Sequence, residues 1–181
     1  MSGVSRARCL HALAVLGVLA VDQATKAWAA VRLTGNAPVE LVPGLFRLVM
    51  VHNRGALFGM FQDLPDPVRS LLFLALPTGV IAVLGWLSWR TSPLERRAHA
   101  AFALLLGGAL GNLADRLRLG HVIDFLDVYI TGTTGNSYHW PAFNVADACI
   151  CTGIGLLALD SLRSGRAAEI SPEAHRAPDP V

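Results

Sequence analysis

Four separate stretches of this chain are apolar over about the length of a membrane crossing, and that pattern leaves few folds open. The hydrocarbon core of a bilayer is about 30 Å thick and takes roughly 20 helical residues at about 1.5 Å each. Windows of that length run from Cys9 to Ala30, from Val68 to Trp89, from Ala98 to Leu117 and from Phe143 to Leu162. They predict an all-α membrane protein with four transmembrane helices. Composition agrees: 53% of the 181 residues are apolar and 15% charged, against about 25% charged in an ordinary soluble domain.

Arginine placement sets an expected orientation. Arg6 and Arg8, then Arg90, Arg96 and Arg97, then Arg163 and Arg166 all fall on one side of a four-span chain. The positive-inside bias makes that side cytoplasmic and puts both termini there. The first span also resembles a secretory signal peptide, with Arg6 and Arg8 ahead of an apolar run and Ala27-Trp28-Ala29 as a mock cleavage site. Asp22 and Lys26 interrupt that pattern and three more spans follow, so retention is the better reading. Residues 1–163 then form one membrane domain, and residues 164–181, rich in Ser, Pro, Glu and Ala, read as a disordered cytoplasmic tail.

The loops from Val31 to Pro67 and from Arg118 to Ala142 are expected to face outward, with Tyr138 and Trp140 at belt depth. Val39 to Val42, a Pro43-Gly44 turn and Leu45 to Val51 predict a small extracytoplasmic β element. Ala56 to Phe61 suits a short interfacial helix or lid, and Pro77 predicts a kink in the second span. The net charge of +2 forms no basic stripe, so nucleic acid is not an expected partner. Cys9, Cys149 and Cys151 lie in apolar stretches and predict neither a disulfide nor a structural metal.

Ionisable groups inside a span cost about 2.5–3.5 kcal/mol each on insertion scales, so each calls for a partner, a cavity or a function. Here they gather toward one side: Asp22 and Lys26, then Asn112, Asp115 and Arg116, then Asp124, then Asn144 and Asp147. Asp22 and Lys26 are four apart and read as a mutual ion pair. Asp115 and Arg116 suit helix-end packing, and Arg116 can also hold an acidic or carbonyl group. Asp124 and Asp147 have no cation at helical spacing. They read either as helix caps and loop anchors or as a carboxylate dyad, in which one group holds a proton and the other serves as base. His52, His121 and His139 lack the spacing of a metal site, so none is expected. No serine or cysteine stands in a nucleophile pattern. A proton-coupled transporter would place polar residues along the whole path, and the inner halves of the spans lack them. A noncatalytic scaffold would tolerate loss of either aspartate.

Five motifs in order resemble a known family over about residues 10–162: Asp22-Gln23-Ala24-Thr25-Lys26, Asn53-Arg54-Gly55-Ala56-Leu57-Phe58-Gly59, Gly111-Asn112-Leu113-Ala114-Asp115-Arg116, Val122-Ile123-Asp124-Phe125 and Phe143-Asn144-Val145-Ala146-Asp147. The family they resemble is lipoprotein signal peptidase, or signal peptidase II. The resemblance implies a bacterial inner-membrane aspartic endopeptidase without cofactor. It would cleave signal peptides from diacylglyceryl-modified prolipoproteins just before the lipidated cysteine and be sensitive to globomycin-type inhibitors. It makes Asp124 and Asp147 the catalytic pair and Asn112, Arg116 and Asn144 their supports. Asp22, Lys26, Asn53, Gly55 and Asp115 would maintain the architecture. The β element and the segment near Phe58 would act as cradle and gate over the substrate.

Overall fold

The computed structural model describes residues 3–55, 64–65, 67–68, 71–132 and 136–169, with side chains as far as Arg163. Helix α1 (Gly3–Leu33) leads into strands β1 (Val39–Val42) and β2 (Phe46–Asn53). A π-helical turn, Leu71–Ala75, opens into α2 (Leu76–Arg90), and α3 (Arg96–Leu119) follows after a short loop. Strands β3 (Val122–Thr131) and β4 (Ser137–His139) precede the last helix, α4 (Val145–Glu169). Among the described residues, four helical segments are long and apolar enough to cross a membrane: Gly3–Leu33, Leu71–Arg90, Arg96–Leu119 and Val145–Arg163. They match the four windows read from the sequence. The expected interfacial helix at Ala56 to Phe61 and most of the expected tail lie outside the described residues.

The helices show why the chain needs lipid. Leu10, Leu13, Leu16, Leu71, Leu76, Val83, Ile154 and Leu159 are exposed on the bundle surface, an apolar exterior that water does not favour. The largest fully buried side chains are instead Lys26, Asn144, Asp22, Asp115 and Asp124. Helix α3 packs against α1, α2 and α4 and carries most of the buried helical residues. Close approach there depends on small residues, as is usual where lipid supplies no hydrophobic drive between helices. A Cβ added at Gly108 would lie 2.6 Å from the carbonyl oxygen of Ala146.

Pro77 sits in the first turn of α2, directly after the π-turn. Having no N–H, it cannot bond the carbonyl four residues back, and the ladder accommodates this with a wider turn just upstream. The expected perturbation of the second span is thus a change of helical register before the proline.

The β element is larger than the sequence suggested. The Pro43-Gly44 hairpin pairs β1 with β2 as expected, but the loop after α3 contributes two further strands, giving an antiparallel sheet in the order β1-β2-β3-β4. Gly120, at φ 74°, ends α3 in the left-handed conformation and lets the chain enter β3 two residues later. Val51 pairs with Asp124 and Asn53 with Val122. The sheet rests on the end of α1 through Ala29, Leu33, Leu48, Ile123 and Phe125.

Across the strands, Arg47 Nε donates to Asp127 Oδ2 at 2.7 Å, and His139 Nδ1 lies 3.0 Å from the same oxygen. Tyr129 stacks on His139 and its hydroxyl donates to Glu40. These links join all four strands at the polar end of the bundle.

Candidate functional site

The junction between β3 and α4 builds the site. Phe143 exchanges backbone hydrogen bonds with Leu126: Phe143 N donates to Leu126 O at 3.0 Å and Leu126 N donates to Phe143 O at 2.9 Å. This ties β3 to the residue immediately before the helix cap. Asn144 is that cap: its Oδ1 accepts from Asp147 N at 3.0 Å, while Asp147 Oδ2 accepts from Asn144 N at 3.1 Å. The reciprocal pair is a capping box built from Asn and Asp, and the acid three residues in also suits the helix dipole.

The cap does more than start a helix. Asn144 Nδ2 donates to Asp124 Oδ1 at 2.7 Å, so a single buried asparagine holds both aspartates. The second Asp124 oxygen accepts from Asn53 Nδ2 at 3.0 Å. Asp147 Oδ1 accepts from Asn112 Nδ2 at 2.8 Å, across from α3. Asp124 is only 2% exposed, and burial pushes its pKa up to about 6. Asp147 pushes the same way, while the amides of Asn53 and Asn144 partly oppose the rise.

Behind the two aspartates lies a charged knot. Lys26 Nζ meets Asp22 Oδ2 at 2.9 Å, Asp115 Oδ2 at 3.0 Å and Asn112 Oδ1 at 2.8 Å. The other Asp22 oxygen accepts from Ala146 N at 2.9 Å, inside the first turn of α4. Asp115 Oδ2 also accepts from Ile123 N at 3.3 Å, next to Asp124. The i,i+4 pair expected from sequence is present, but it belongs to a three-helix network that fixes Asn112 and hence the amide facing Asp147. Gln23 is a member that spacing did not reveal: its Nε2 donates to Asp115 Oδ1 at 3.0 Å and to Gly111 O at 3.2 Å. Arg118 in turn donates to Gln23 Oε1 at 2.9 Å.

A Cβ at Gly111 would collide with the Asp22 carboxylate. Gly111→Ala is therefore expected to destabilise the protein by about 1–3 kcal/mol, seen as a lowered thermal midpoint in detergent. Gly17→Ala, where a Cβ meets nothing within 4 Å, serves as the matched control. Equal midpoints for the two variants would mean that α1 and α3 can separate at no cost.

Arg116, half-buried on the last turn of α3, donates to Gly55 O at 3.5 Å and lies 5.4 Å from the centroid of the Phe73 ring. It also lines an apolar cavity of about 750 Å³ between α2, α3 and α4, whose walls include Leu76, Pro77, Val80, Ala109, Asn112, Ile150 and Ile154. The loop histidines stand apart from this arrangement. His139 joins Asp127, and His52 packs against His121 with ring centroids 4.4 Å apart. Among the described residues, no group of three or more His, Cys, Asp or Glu side chains is placed to hold a metal. All ten sequence-derived site residues thus belong to one hydrogen-bonded cluster, at whose edge Gly55 N donates to Asn53 Oδ1 at 3.0 Å and Arg116 donates to Gly55 O.

Residues 14–163 match the family described as signal peptidase (SPase) II. The chain is 42% identical over 152 residues to the lipoprotein signal peptidase of Geobacter sulfurreducens, covering 84% of this chain and 91% of that protein. The belonging is plain. This chain is a member of the signal peptidase II family. Its lipoprotein signal peptidase relative from Syntrophotalea carbinolica is 41% identical over 158 residues, covering 87% of this chain and 93% of that one. A solved bacterial membrane enzyme superimposes with a TM-score of 0.72 at 26% identity, over 84% of this chain and 92% of its own. A second, at 24% identity, shares the fold with a TM-score of 0.73 over 94% of each chain. Signal peptidase II is a protease of lipoprotein processing, and four helices of this member are fit to cross a membrane.

Proposed function

We propose that this signal peptidase II is an intramembrane aspartic endopeptidase that removes the signal peptide from diacylglyceryl-modified prolipoproteins, cutting just before the lipidated cysteine. The observation that carries the reading is Asn144, which hydrogen-bonds both Asp124 and Asp147 and holds them to one site at the end of the bundle. Two carboxylates held to one site do not both ionise cheaply, so the pair shares a proton. Burial makes Asp124 the readier holder of that proton. The ionised partner takes a proton from water as its oxygen attacks the scissile carbonyl, and the protonated carboxyl gives its proton to the carbonyl oxygen. Collapse of the tetrahedral intermediate returns a proton to the departing amide nitrogen, and the dyad regains its starting state.

The cavity between α2, α3 and α4 suits the diacylglyceryl chains, with Arg116 and Asn112 at its polar wall to orient the peptide. Globomycin-type peptides would occupy the same space. The arginine bias supports an orientation with the aspartate end at the outer face of the bacterial inner membrane and both termini cytoplasmic. A substrate held by its acyl chains would then reach the site laterally.

The test is cleavage by the purified full chain of a diacylglyceryl-modified prolipoprotein peptide beside the same peptide unmodified. Mass spectrometry is expected to find one cut, with the lipidated cysteine as the new N-terminus, in the modified peptide alone. Cleavage elsewhere, or of both peptides equally, would remove the lipid from the recognition.

A titration follows from the same geometry. The infrared band of the protonated Asp124 carboxyl is expected to disappear with a midpoint near pH 6 in the free protein. In Asp147→Asn the midpoint moves to lower pH, because the neighbouring negative charge that resists ionisation is gone. The sign for stability follows: the folded group holds its proton more tightly than an unfolded one of pKa 3.8, so stability falls as pH rises from about 3.8 to 6 and is level above. An Asp124 band that titrates near 3.8 in both proteins would mean that burial does not govern the site.

A further inference from the structure

The end of the bundle remote from the aspartates contains a second constellation that the proteolytic reading does not use. Two adjoining cavities, of about 1010 and 450 Å³, lie there and share Ala7, His11, Pro93 and His99 on their walls. The larger is edged by Arg6 and Arg96. The smaller runs along α1 from Ala7 to Leu16, about 13 Å of helix, between walls that include Val15 and Leu106. Trp89 lines this groove, and the Arg8 guanidinium stands 4.0 Å from the centre of its ring.

The two histidines between the cavities are half-satisfied. Their rings meet edge to face with centroids 5.0 Å apart. His11 Nε2 lies 3.0 Å from Ser88 Oγ, and His99 Nε2 donates to Ser92 O at 3.1 Å. Both Nδ1 atoms are buried and have no hydrogen-bond partner. A buried polar atom left unpaired is uncommon in a native protein and calls for a missing partner. The three arginines on these walls specify the chemistry of a partner, an anion with several acceptor oxygens, and His11 can donate to it from Nδ1 when its Nε2 accepts from Ser88 Oγ. The apolar groove continuous with them specifies the remainder, a hydrocarbon chain. Basic pockets between membrane helices at a charged interface bind anionic headgroups for the same reason.

We infer that this end of the protein binds one anionic glycerophospholipid of the adjacent leaflet, its phosphate between Arg6, Arg96 and His11 and an acyl chain in the groove beside Trp89. The site is remote from the aspartates, so it does not depend on the proteolytic reading. It gives the first three helices a common ligand at the end opposite the network that Lys26 builds.

The experiment uses the full chain in neutral detergent, titrated separately with dioleoylphosphatidylglycerol and dioleoylphosphatidylcholine, with bound lipid counted by native mass spectrometry. One phosphatidylglycerol per chain is expected to bind at least about tenfold more tightly than phosphatidylcholine, since each nearby arginine contributes roughly fivefold. The double variant Arg6→Gln/Arg96→Gln is expected to lose that preference. Arg32→Gln, which removes an exposed charge at the opposite end of α1, should keep it. Equal binding of the two lipids overturns the proposal, as does a preference that survives the double variant or falls as far in Arg32→Gln. Inorganic phosphate that binds as tightly as phosphatidylglycerol and displaces it also overturns it, because the groove would then contribute nothing. All three substituted residues are exposed, so folding is not at stake.

Discussion

Asp124→Asn and Asp147→Asn are each expected to lower cleavage of the diacylglyceryl-modified peptide by at least about a thousandfold, the upper range of what one positioned acid or base contributes. An asparagine at 147 still presents a carbonyl oxygen to Asn144 N, so the helix cap survives, while its NH2 replaces the acceptor that Asn112 Nδ2 had. At 124, a rotated amide still offers one acceptor to Asn144, while Asn53 on β2 keeps its own second bond, its Oδ1 accepting from Gly55 N at 3.0 Å. What each variant loses is the ability to exchange a proton, and with it the shared-proton state. The loss should therefore fall on kcat, with binding of the lipidated peptide little changed, the signature of an interaction made only in the transition state. The measurement is single-turnover cleavage together with peptide binding, on variants whose thermal midpoints match the parent. If either variant keeps more than about a tenth of the parent rate, general acid–base chemistry at that residue is not rate-determining.

The sequence disclosed the parts of this molecule that follow from local physics. The four spans were legible because lipid imposes a length and forbids interruption. The β1–β2 hairpin was legible from Pro43-Gly44 between two apolar runs. Strands β3 and β4 were not, because Asp124 and Asp127 interrupt the run from Val122 to Thr131 and both faces of β3 are largely covered, which removes the alternation that marks a strand. For the same reason Asp124, expected in a loop, is held in the sheet opposite Val51. The polar residues of the site announced themselves by their cost in a membrane, but their wiring did not. Nothing local says that Lys26 serves Asp115 and Asn112 as well as Asp22, since those partners lie 86 and more residues away. Gln23 and the Arg47–Asp127–His139 link were missed on the same ground. Uncharged amides and loop charges carry no signal until the fold brings their partners near. The signal that would have found Gln23 is its position beside Asp22, on a helix whose polar residues already pointed inward.

Removing Lys26 is expected to have the largest effect on folding. The ammonium is 1% exposed and uses all three of its donors, on Asp22, Asp115 and Asn112. Lys26→Met matches its length and apolar stem but leaves two buried carboxylates facing each other, at 0% and 1% exposure, with no cation between them. Breaking a buried pair by deleting one partner costs about 3–5 kcal/mol, enough to consume much of the stability of an ordinary domain. The damage also reaches the dyad. Asn112 Oδ1 loses its ammonium and keeps only Asn144 Nδ2, so the Asn112 amide that faces Asp147 is no longer fixed from behind. The expected results are a steep fall in folded yield from membranes and a thermal midpoint well below the parent. Charge balance provides the discriminating arm. The triple variant Asp22→Asn/Lys26→Met/Asp115→Asn removes the unpaired charges along with the cation and should recover much of the lost midpoint, while activity stays low because Asn112 remains unanchored. A single Lys26→Met protein as stable as the parent would show that water or a proton compensates the two aspartates. The knot would then be a positioning device for the site and not what holds the helices together.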